Sequence, residues 1–146
     1  MNGWLRMNRA DLQNLAKLRA KEAKVLLDQG CYEGAYYLVG YAVECALKAC
    51  IAKQTQRYDF PDKQKVKVQD CYHHDLDRLL RIAGLSQKLD ADRQADSVLD
   101  VNWSVTKDWK EDKRYLPAIP EKQARDLVDA VTMRGNGVLA WLKKLW

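Results

Sequence analysis

Apolar and polar positions follow a helical period over most of the chain. Leu12, Leu15, Ala16, Ala23, Leu26 and Leu27 recur at helical spacing and predict an amphipathic helix from about Asn8 to Gly30. Asn8 suits the N-cap because its side-chain oxygen can take an orphan backbone N–H. Gly30 suits the left-handed residue that ends a helix. Lys17, Lys21 and Lys24 lie on the opposite side. A solvated face is the plain expectation for them, and a phosphate-tracking ridge is the functional one. Arg19 projects towards the apolar side, where a guanidinium needs a carboxylate or carbonyl partner.

A second helix is predicted from about Tyr32 to Lys53. Ala35, Leu38, Val39, Ala42, Val43, Ala46, Leu47 and Cys50 cover a wide arc, which leaves one polar arc of Tyr37, Tyr41, Glu44 and Lys48. These four step by one helical turn and share a face. Glu44 precedes Lys48 by a turn, the favoured order for a helical ion pair, and the pair is expected on the least buried side of the helix. Gly34 and Gly40 weaken the helix but admit a close neighbour. The stretch 35–51 is short for a membrane span and carries two charges near its middle, so a buried core helix is expected instead. Its apolar arc is too wide for one packing partner. It is therefore expected to be central or to share in a dimer interface.

Residues 54–73 break the pattern and read as a long connection, in which KVKV is at most a short edge strand. A third helix is predicted from near His73–Asp75 to Gly84, with Leu76, Leu79, Leu80 and Ala83 inward. Ser86 then reads as the cap of a fourth helix reaching about Val101 or Trp103, with Leu89, Ala95, Val98 and Leu99 inward. NWSVTKDWKEDKRYLPAIP, 102–120, reads as an ordered loop pinned by Trp103 and Trp109. The last helix begins near Pro120 and Glu121, with proline in its favoured first turn. Its long stripe runs through Ala124, Leu127, Val128, Val131, Val138, Leu139, Leu142 and Leu145. Gly135 falls on that stripe, where a missing side chain would permit tight packing. Gly135 and Gly137 each cost roughly 1 kcal/mol relative to alanine, which implies a packing reason or a kink. The expectation is an all-α, up-and-down bundle of four to five helices in one domain, 1–146.

Composition supports a folded chain. Of 146 residues, 47% are hydrophobic and only three are proline, which argues against global disorder. The net charge of +5 and pI of about 9.0 permit an anionic partner without requiring one. The four cysteines are Cys31, Cys45, Cys50 and Cys71. The N-terminal MNGWLRMNRADLQ lacks an apolar leader, so cytoplasmic localisation and reduced thiols are expected. Cys71, His73 and His74 could supply metal ligands, but no second cluster has matching spacing, and neither metal nor cofactor is expected.

Three segments carry a family resemblance. GCYEGAYYLVGYAVECALKACI, 30–51, resembles the second-helix signature of HEPN domains, a small-residue-rich helix with Glu and then Lys one turn later. HDLDRLL, 74–80, resembles the start of that family's third helix. KRYLPAIPEKQARDLVDAV, 113–131, resembles its Arg-Tyr segment, here Arg114–Tyr115. The resemblance covers roughly Leu12 to Leu145. It implies a four- or five-helix up-and-down bundle, often a homodimer. It also implies membership among metal-independent RNases, toxins paired with minimal nucleotidyltransferases in toxin–antitoxin systems, and non-catalytic nucleotide- or RNA-binding forms.

The RNase members carry Arg, four to six residues, then His. After Arg114 the corresponding window holds Ile119, Pro120 and Glu121, and the only histidines are His73 and His74. Arginine without histidine can hold phosphate but lacks the group best suited to proton transfer near neutral pH. No catalytic residue is therefore assigned. The candidate ligand-binding residues are Tyr37, Tyr41, Glu44, Lys48, His74, Arg114 and Tyr115. Lys48 and Arg114 would hold phosphate, and Glu44 would orient Arg114. Tyr37, Tyr41 or Tyr115 would stack on a base, at about 1–3 kcal/mol per base. The structural expectation for the same residues is a Glu44–Lys48 ion pair, a helix start at His74–Asp75 and a salt bridge at Arg114. The function expected is a binding or regulatory module for a nucleotide, RNA or protein partner. The alternative is a metal-independent RNase toxin with a displaced site at His73 or His74, paired with a nucleotidyltransferase-type antitoxin.

Overall fold

The computed structural model describes residues 7–57, 74–112 and 118–146. Among these, 78% are helical and none is in a strand, so the expected all-α helical bundle is what the chain forms. The helices are α1 (Arg9–Asp28), α2 (Tyr32–Arg57), α3 (Leu76–Ile82), α4 (Ser86–Ala95), α5 (Ser97–Thr106), α6 (Glu121–Thr132) and α7 (Val138–Lys143).

α1 starts and stops where its sequence says. Asn8 Oδ1 accepts the Asp11 N–H at 2.8 Å, and Asp11 returns a carboxylate to the Asn8 N–H at 3.1 Å, a complete capping box. Gly30 follows with φ +77, in the left-handed region. Ala16, Ala20, Ala23 and Leu27 are buried, while Lys17, Lys21 and Lys24 are exposed. Arg19 finds its carboxylate within α1 itself, at Glu22. α3 is equally regular, with Asp75 capping its start and Gly84, φ +73, behind its end.

α2 is the central element and packs against α1, α3, α6 and α7. It is longer than expected, and Tyr32–Thr55 is long and apolar enough to cross a membrane. In this fold, however, 72% of its most apolar window is buried against protein. Gly40 explains how one neighbour comes so close. A Cβ there would lie 2.1 Å from Trp109 Cε2, so the fully buried indole rests on bare backbone.

Two predicted helices are each broken in two. Asp96 adopts an extended conformation, φ −138 and ψ 100, and separates α4 from α5. Its Oδ1 accepts the Val98 and Leu99 N–H groups at 3.0 and 3.2 Å, so one residue ends one helix and caps the next. The break reorients the following helix and leaves Val98 exposed rather than inward, and Ala95, at the end of α4, is exposed as well. Ser86 is the first residue of α4 rather than its cap, and its buried hydroxyl has no partner among the described residues. Trp103 lies within α5 and not in a loop.

The second break, Met133–Gly137, separates α6 from α7. Gly135 has φ +76 and open space around its Cβ position, so its role is conformational and not close packing. Gly137 is the tight position, where a Cβ would fall 2.3 Å from the Met133 carbonyl oxygen. The two breaks meet. Asn136 Nδ2 donates to Asp96 Oδ2 at 2.5 Å, and Asn102 Nδ2 donates to the Asn136 carbonyl at 3.0 Å.

Candidate functional site

The polar arc of α2 is not its outer edge. Glu44 is completely buried, among the largest fully enclosed side chains in the molecule. A lone carboxylate at such depth would be costly, so its partners decide whether it is tolerated. Lys48, one turn along α2, donates to Oε2 at 3.2 Å with only 10% of its own side chain exposed. His74 presents Nδ1 to Oε1 at 2.7 Å from just before α3. The expected ion pair is present, with a histidine thirty residues away as a third member.

His74 carries the network to the surface. Its side chain is 38% exposed, and its Nε2 lies 3.4 Å from the Glu111 carboxylate in the turn after α5. The Glu44 carboxylate at Nδ1 orients the ring, and Nε2 is the outward nitrogen. Asp75 Oδ1 accepts the Arg78 N–H at 3.1 Å, and Lys110 approaches its other oxygen at 3.7 Å. The backbone N–H of Arg78 is the main reason the Asp75 carboxyl is held below its ordinary value, with Lys110 adding to it. α2, the start of α3 and the turn after α5 are thus tied together by charge.

An aromatic row adjoins the buried carboxylate. Tyr37 and Tyr41 stack with centroids 6.3 Å apart and planes 9° from parallel, and Tyr37 tilts against Trp109 at 6.2 Å. Both tyrosines are half-buried, so each keeps an exposed edge. Burial pushes the Tyr41 hydroxyl up to about 12, helped by Cys45 and Glu44. Burial likewise pushes the Cys45 thiol up to about 12, so it is no nucleophile near neutral pH.

The structure therefore brings Glu44, Lys48 and His74 together and places Tyr37 and Tyr41 along the same helix. Arg114, Tyr115, His73 and Cys71 lie outside the described residues. Lys48 is committed to Glu44, which makes it a poor candidate for holding phosphate. Glu111 was not foreseen. It is far from Glu44 in sequence, and no local pattern in KDWKED marks it. Among the described residues no group of three His, Cys, Asp or Glu side chains is placed to hold a metal ion. Comparison with protein-family models, with curated proteins and with solved structures finds no match for this chain.

Proposed function

We propose that this chain is a HEPN-like binding or regulatory module that takes a nucleotide or RNA where His74 reaches the surface. The observation that carries this reading is the half-exposed His74 ring, oriented by the buried Glu44–Lys48 pair beside the stacked Tyr37 and Tyr41. Glu44 and Lys48 act as positioning residues under the site. His74 offers Nε2 to a base edge in place of Glu111, and the tyrosine edges offer apolar contact to a sugar or base. The test is titration of a short single-stranded oligoribonucleotide by native gel shift against wild type, His74→Ala and His74→Asn. Saturable binding that weakens roughly tenfold in both variants, with helicity kept, is expected. Binding that is absent, or undiminished in the variants, overturns the reading.

A second reading is favoured by one specific observation, the carboxylate held against each ring nitrogen of His74. A histidine oriented by a buried acid is the arrangement used for general acid–base work. Under this reading the chain cleaves RNA without metal. Cleavage in chelator that His74→Ala abolishes would transfer the assignment to it, and intact RNA after long incubation removes it. The homodimer that the family resemblance implies is checked by light scattering on the eluted protein.

A further inference from the structure

A separate concavity of about 450 Å³ lies between α1 and the corner joining α6 to α7. None of the Glu44 network lines it. Its inner wall is aliphatic and small, with Ala20, Val131 and Leu139 buried and Ala140 beside them. Its rim carries Lys21 and Lys24 from α1, Arg134 from the corner and Lys143 from α7, all exposed. Among the described residues no acid lines it. None of the four cations forms an ion pair among the described residues, although other exposed lysines, such as Lys88 and Lys122, do.

Helix ends account for part of this charge. Arg134 lies just beyond the end of α6 and Lys143 in the last turn of α7, where cations complement exposed carbonyls. Lys21 and Lys24 have no such reason. They sit inside α1, with four further residues before its end, and face the other two across the concavity. Four like charges around an apolar hollow repel one another and attract an anion into it. The volume falls within the range of about 300–1,000 Å³ usual for small-molecule sites.

The lining also states what the anion is not. Among the described residues it contains no tyrosine, tryptophan, phenylalanine or histidine, and so no platform on which a nucleobase could stack. Its apolar part suits a short aliphatic body instead. Gly135, with open space around it, leaves the corner of the mouth uncovered. We propose that this cleft binds an amphiphilic phosphate, its head group among Lys21, Lys24, Arg134 and Lys143 and its aliphatic body against Val131 and Leu139.

The experiment is calorimetric titration of the whole chain with n-octyl phosphate. Inorganic phosphate, neutral octyl glucoside and a single-stranded oligoribonucleotide serve as comparison probes. Saturable one-to-one binding of octyl phosphate is expected, with neither inorganic phosphate nor octyl glucoside matching it. The double variant Lys21→Ala, Lys24→Ala should weaken that binding roughly tenfold at unchanged helicity. Phosphatidylcholine vesicles containing phosphatidic acid separate the sources. Co-sedimentation lost in the double variant assigns a lipid head group, and its absence beside octyl phosphate binding assigns a free ligand. The proposal is overturned by lack of saturable octyl phosphate binding, by equal binding of inorganic phosphate, or by an undiminished double variant. It is also overturned if the oligoribonucleotide binds more tightly than octyl phosphate and loses that affinity in the double variant, which would make the rim a nucleic-acid surface.

Discussion

The Glu44 network and the α1–α6–α7 cleft use charge in opposite ways. In the first, Lys48 is committed to a carboxylate that solvent does not reach, and that carboxylate orients the half-exposed His74. In the second, four cations stand at the surface with no acid among them in the described residues. The lesson is that a charged residue reports on function through what remains unneutralised. A paired, buried charge holds elements together, and an unpaired cluster at a hollow is available to something else.

This contrast can be broken at its strongest point first. Glu44→Ala removes the buried carboxylate that Lys48 and His74 share and should destabilise the fold by about 3–5 kcal/mol. The midpoint of urea unfolding measures it, and a loss below ~1 kcal/mol would falsify the claim that the pair is a buried structural link. Gly40→Ala tests the packing around the same network. Its new Cβ has no room beside Trp109, and a cost of about 1–3 kcal/mol is expected.

Alkaline titration comes next. Tyr41 and Cys45 are neutral when protonated, and their folded values of about 12 lie above the ordinary 10.0 and 9.0. The stability they contribute is fully present below 9.0 and is lost as pH rises from there towards about 12. The urea midpoint should therefore fall above pH 9, and Cys45→Ala should flatten the first part of that fall. The smallest effect belongs to the cleft. Lys21→Ala with Lys24→Ala should move stability by no more than about 0.5 kcal/mol, with any change towards greater stability at low salt because like charges are removed. A large loss there would show the lysines to be structural and erase the distinction between the two regions.

How much was legible in the sequence follows from the range of each interaction. α1 and α3 were readable because their signals are local, namely Asn8 with Asp11, Asp75, and the glycines that take positive φ. The split between α4 and α5 was not. Ala95, Val98 and Leu99 continue a helical spacing, and no glycine or proline interrupts it. Only Asp96, a good cap, marked the break. In the last helix the glycines of MRGNG stand out, but their apolar flanks read as one continuous stripe. What stabilises both breaks is the Asp96–Asn136 bond between them, which a one-dimensional pattern cannot show. The Glu44 arc failed for the same reason. Its residues share a face as expected, but a polar face need not be an outer one. The histidine and the helix that cover it come from elsewhere in the chain. Lys21 and Lys24 were readable as an exposed ridge, and Arg134 and Lys143 opposite them were not.

The seat of Trp109 on Gly40 also makes the molecule its own optical gauge. An indole sealed from solvent, with no partner for its N–H among the described residues, emits at shorter wavelength than one in water. Exposure of the Trp109 ring should therefore shift its share of the emission of five tryptophans to the red.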